Sequence, residues 1–147
     1  MVSLKNVLLF LLIGLSTLYA YADNNHYKDV EKYRIFYSAF NSSFILPEIA
    51  KIYDISRGKD KGLVTIGVTQ TNKIGGEAAA VTGVVSNMLA QQQKLRFVQI
   101  KESDAIYYIA PFEYYNEDFL TFKIDIKTEK ERKDVAISFQ KKFYYEK

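Results

Sequence analysis

Phe119-Leu120-Thr121-Phe122-Lys123-Ile124-Asp125-Ile126-Lys127 is the stretch on which the fold turns. Leu120, Phe122, Ile124 and Ile126 fall on every second residue, with Thr121, Lys123 and Asp125 between them. A period of two sends one set to a core and the other to water, which describes a half-buried β-strand and excludes a helix.

The same rhythm extends outward on both sides. Downstream, Thr128 to Asp134 is a charged turn, and Val135, Ile137, Phe139 and Phe143 form the inner set of a last strand. Upstream, Ala105 to Phe112 pairs as a hairpin with Leu95 to Lys101 across the polar connector Glu102-Ser103-Asp104. The apolar set of Leu95–Lys101 changes face between Phe97 and Val98, as a bulge would make it do. Ser86 to Lys94 reads either as a helical turn or as a long connection. Glu77 to Val85 is small and β-branched, with Ala79, Val81 and Val85 inward, and from Leu63 the set Val64, Ile66, Val68 faces inward.

Lys32 to Phe40 is another aromatic and β-branched strand, ended by Asn41-Ser42-Ser43. Pro47 to Tyr53 is the one helix candidate: Pro47 suits the first helical position, Glu48 the positive end of the dipole, and Ile49, Ile52 and Tyr53 one side. Asp23 to Lys32 lacks apolar periodicity and reads as a loose lead. The expectation is an all-β, two-sheet antiparallel sandwich of about seven strands with one short helix, a closed barrel being the alternative.

The N-terminus reads as an address. Lys5 precedes the apolar run Val7 to Leu18, and Ala20 and Ala22 end it in the pattern of a secretory signal peptide. The run is shorter than the roughly 20 residues of a membrane span, so a retained anchor is the weaker reading. Cleavage after Ala22 leaves a single domain, 23–147, in the periplasm, with a net charge of +2 in place of +3.

Composition excludes much chemistry. Without cysteine there is no thiol nucleophile and no thiolate metal site, and the one histidine, His26, lies in the loose lead. No catalytic residue, metal ligand or cofactor is expected. Lysines and acids alternate, so the broad cationic face of a nucleic-acid binder is missing. Glu113, Glu117 and Asp118 offer a carboxylate pair for a cell-envelope hydrolase, although acids beside Asn116 also mark an ordinary turn.

Tyrosine and phenylalanine are the unusual feature, at 12 and 10 residues with no tryptophan. Tyr107 and Tyr108 must face opposite sides of one strand, one to the core and one outward. Tyr108, Tyr114 and Tyr115 are therefore candidates for a binding surface. Arg57, Lys59 and Lys61, between Gly58 and Gly62, make a second candidate, though the loop lacks the ending of a phosphate-binding P-loop. The function expected is a non-catalytic module that binds an envelope protein or component.

Four strings in this order are familiar: Ala39-Phe40-Asn41-Ser42 leading to Leu46-Pro47-Glu48-Ile49-Ala50; Arg57 to Gly62 running into Leu63-Val64-Thr65-Ile66; Ala105-Ile106-Tyr107-Tyr108 with Asn116-Glu117 behind; and Phe139-Gln140 before Phe143-Tyr144. Together they resemble the domain-of-unknown-function family 4426, small exported proteins of Gram-negative bacteria. The resemblance implies an immunoglobulin-like β-sandwich in the periplasm. It implies no activity and carries over no site residues, because the family has no assigned function.

Overall fold

The structure is a computed structural model that describes residues 26–146. The signal-peptide reading of residues 1–22 lies outside them. The described residues form nine strands: β1 Tyr27–Val30, β2 Tyr33–Asn41, β3 Lys61–Gln70, β4 Ala79–Ser86, β5 Gln92–Leu95, β6 Val98–Glu102, β7 Ala105–Glu113, β8 Asp118–Thr128 and β9 Asp134–Phe143. They pair antiparallel in two sheets, ordered β1-β2-β3-β7-β6 and β5-β4-β8-β9. The sandwich is the expected one, and the lone α-helix of the described residues, α1, runs over Pro47–Ile52 as its Pro47 start predicts.

Two differences raise the strand count. The lead is not loose: Tyr27–Val30 pairs with Tyr33–Phe36, turning at Glu31, whose φ is +54°. The span Leu95–Lys101 is not one bulged strand. β5 belongs to the four-stranded sheet and β6 to the five-stranded one, so the chain crosses between layers at Arg96-Phe97. The face change between Phe97 and Val98 records that crossing, since a chain passing from one sheet to the other must reverse which side meets the core. Ser86–Lys94 resolves into the last residue of β4, a connection over 87–91 and the start of β5, with no helix.

The core lies between the sheets. Ile35, Val64, Ile66, Val68, Ala110 and Phe112 of one sheet meet Val85, Leu120, Phe122, Ile124, Ile126 and Ile137 of the other, all buried. Phe112 is wedged edge-on to Phe122 and Phe143, with ring centroids 5.1 and 5.2 Å apart. Gly62, opposite Phe112 in the register, makes room for that ring: a Cβ there would stand 2.2 Å from it. No helix among the described residues is long and apolar enough to cross a membrane.

Candidate functional site

The three expected tyrosines do not share a surface. Tyr108 and Tyr114 are only 5% and 3% exposed, whereas Tyr115 is 70% exposed. On β7 the even positions point inward, so Tyr108 enters the core and its hydroxyl accepts a bond from the Ala79 amide at 2.7 Å. Tyr114, just beyond β7, donates to the Lys59 carbonyl at 2.8 Å. Burial pushes both phenols above the ordinary tyrosine value. Both therefore serve as structural pins.

The basic loop is also engaged within the molecule. Arg57 donates to the Ser43 carbonyl, Lys59 lies over the Tyr145 ring and Lys61 pairs with Glu113 at 2.9 Å. The Gly58 amide donates to Ser42 Oγ, so it is not free to cradle an anion. Of the acidic cluster, Glu113 and Asp118 line a polar hollow of about 320 Å³ together with Asp60, Tyr115 and Gln93. Asp118 there accepts a bond from the Tyr115 amide at 3.3 Å.

A different site emerges on the outer face of the five-stranded sheet. The register aligns Tyr27 of β1 with Phe36 of β2, Phe36 with Gly67 of β3, Gly67 with Tyr107 of β7, and Tyr107 with Ile100 of β6. Directly opposed residues share a face, so this is one row across the whole sheet, aromatic on both sides of a glycine. Phe36 and Tyr107 are 43% and 46% exposed. Tyr27 leans on Phe36 with centroids 5.9 Å apart, and the Arg34 guanidinium covers the Tyr27 ring while gripping both Asp29 oxygens at 2.7 and 2.8 Å. That grip holds the Asp29 carboxyl below the usual carboxylate range.

Gly67 lowers the middle of the row and opens a groove of about 580 Å³, lined by Phe36, Thr65, Gly67, Thr69, Tyr107 and the Ile74–Gly76 loop, among others. Ile74 stands fully exposed on its rim. The rim is fastened by the Gly76 amide, which donates to the Asp104 carbonyl at 2.7 Å, and Gly75 turns it with a φ of +100° that disfavours any side chain.

Packing does not account for Gly67. A Cβ at Gly62, Gly76 or Gly83 would come within 2.2, 2.6 or 2.7 Å of a neighbouring atom, but at Gly67 the one close atom among the described residues would be the Phe36 Cβ at 3.8 Å. A glycine inside a strand costs roughly 0.5–1 kcal/mol relative to alanine. One kept where a side chain fits marks a place where something approaches the backbone. Sequence reading passed over Phe36, Gly67 and Tyr107 because they lie far apart along the chain and meet only through the register. The available signal was Tyr107, assigned to the outer face as soon as Tyr108 is placed inside.

Comparison with known proteins places the chain. Residues 27–146 match the family model described as Domain of unknown function (DUF4426). A solved DUF4426 family protein of Pseudomonas aeruginosa PAO1 is 26% identical, superposes with a TM-score of 0.73, and is matched over 82% of this chain and 95% of its own. FetP of uropathogenic Escherichia coli strain F11 shares the fold at 11% identity and a TM-score of 0.56, over 82% of this chain and 94% of FetP. A copper-bound FetP variant gives 12% identity and a TM-score of 0.57, over 81% and 94%. No curated protein matches. The chain belongs to the DUF4426 family, a family of unknown function.

Proposed function

We propose that the mature chain is a non-catalytic binding module of the periplasm, and that it binds through the outer face of its five-stranded sheet. The observation that carries this is the row Tyr27-Phe36-Gly67-Tyr107, aromatic walls about a glycine that packing does not demand. Aromatic rings supply much contact area at little entropic cost, and a concave apolar surface is where ligands lodge. Export is supported by the signal-like sequence Lys5 to Ala22 and by the FetP likeness, a protein expressed in the periplasm of Escherichia coli. Sequencing the N-terminus of the periplasmic protein should give Asp23 first.

The copper described for FetP is not part of this proposal. Copper sites draw on imidazole, thiolate and thioether ligands, and this sequence has one histidine, no cysteine and only Met1 and Met88 as thioethers.

In living cells, a photo-crosslinking residue at position 36 or 107 should capture a ligand or partner, and one at 123 on the outer face of the other sheet should not. Equal capture from both faces, or none from either, ends this reading. A second reading, a cell-envelope hydrolase, is favoured by Glu113 and Asp118 lining one hollow. It requires that Glu113→Gln and Asp118→Asn each abolish a cellular phenotype without altering stability.

A further inference from the structure

On the reading that the outer face binds, the groove itself narrows what it takes. Its floor is the outward set of β3, Thr65, Gly67 and Thr69, a run of roughly 13 Å at about 3.3 Å per residue. Its walls rise from β2 at Phe36 and from β7 at Tyr107, on either side of Gly67. Two strand spacings separate those walls at the backbone, roughly 9.5 Å. A chain touching both walls at carbon contacts of about 3.5–4.0 Å needs about 8 Å. One unbranched chain fits, and two do not.

The charge of the lining is one-sided. The described lining residues include one carboxylate, Asp104, one imidazole, His26, and no lysine or arginine. No ion-pair partner for the Asp104 carboxylate exists among the described residues. Exposed ring faces at Phe36 and Tyr107 attract cations, the quaternary ammonium group above all. The Tyr27 ring already holds the Arg34 guanidinium, so the same attraction operates in this row within the molecule. A negative head group would meet the Asp104 charge, with no lysine or arginine in the lining to offset it.

We infer that the groove is a binding site for a single unbranched alkyl chain carrying a cationic head, with the chain lying along β3 over Gly67 and the head beside Asp104. The test is calorimetric titration of the purified exported protein with decyltrimethylammonium and with decyl sulfate, which share a chain and differ in head charge, both below micelle formation. The ammonium should bind about tenfold tighter, the equivalent of about 1.4 kcal/mol. Gly67→Leu, filling the floor, should abolish binding of both. Asp104→Asn should remove the preference, weakening the ammonium and relieving the sulfate of like-charge repulsion.

Phe36→Ala removes one wall without touching the core and should weaken both ligands, which guards against a folding fault in the leucine variant. Equal affinity for the two probes, or unimpaired binding by Gly67→Leu, overturns the inference. If neither probe binds while positions 36 and 107 still capture a partner in cells, the ligand class is wrong and the binding face stands. If the probes bind as described and the cellular capture fails, the site stands and the proposed cellular role falls.

Discussion

Phe112 and Tyr114 on one side of the five-stranded sheet, and Phe36 and Tyr107 on the other, are aromatic residues of similar size borne on or just beyond β2 and β7. The inner group is sealed. Phe112 meets Phe122 and Phe143 edge-on, and Tyr114 lies 5.0 Å from Phe143, all buried between the sheets. The outer group meets water. Phe36 and Tyr107 are divided by Gly67 and make no ring contact with each other. Inner rings stabilise because each contact is made against another element and excludes solvent. Outer rings leave contact area unused in the free protein, and that area is available to a ligand. The glycines divide in the same way: Gly62 yields space to Phe112, and Gly67 yields space to no tightly packed neighbour among the described residues.

That contrast can be broken most severely from the inside. Phe122→Ala removes a fully buried ring from the aromatic cluster and should cost about 3–5 kcal/mol, read from chemical denaturation midpoints. Gly62→Ala drives a methyl group into the Phe112 ring, which is too confined to yield. Overpacking of this kind costs about 1–3 kcal/mol. A variant as stable as the parent would show that the inner cluster is looser than described.

Alkaline titration tests the inner tyrosines. Their phenols are held above the ordinary value by burial, so the unfolded chain ionises first. Stability is therefore fully present below pH about 10 and declines above it, as the unfolded tyrosines lose protons that the native ones retain. Denaturation midpoints followed from pH about 8 to about 11 should fall along that course. Tyr108→Phe should flatten the fall, while leaving the Ala79 amide without its acceptor at a cost of about 1–3 kcal/mol.

The smallest effect on stability belongs to the outer row. Tyr107→Ser should change unfolding free energy by no more than about 0.5 kcal/mol, yet reduce capture at the outer face. Gly67→Ala should be stabilising by roughly 0.5–1 kcal/mol, since an alanine fits there and restricts the unfolded chain. A loss of stability at either position equal to that at Phe122 would erase the distinction between the two faces.

Local sequence carried the strands well where one face is buried. Leu120 to Ile126 and Val64 to Val68 occupy the core as their alternation requires, because burial on a single face imprints period two on the residues themselves. Pro47 set the start of α1 for an equally local reason. Tyr27–Val30 escaped because a four-residue edge strand buries little, and its pairing with β2 is stabilised by backbone bonds and by Arg34 reaching Asp29 and Tyr27. The crossing at Arg96-Phe97 left a visible mark, the change of apolar face, but a bulge and a change of sheet leave the same mark on a linear sequence.

The amino-acid order alone determined that alternating strands would build an antiparallel sandwich, that thiol chemistry is excluded, and that the family is DUF4426. Each follows from residue identity or from neighbours along the chain. Only the tertiary structure decided that Tyr108 and Tyr114 are internal pins and that Phe36, Gly67 and Tyr107 form one groove. Alternation states that two neighbours on a strand face opposite ways, but which of the two is inside depends on where the second sheet lies. Residues 31 positions apart and more become neighbours only when three strands lock into register.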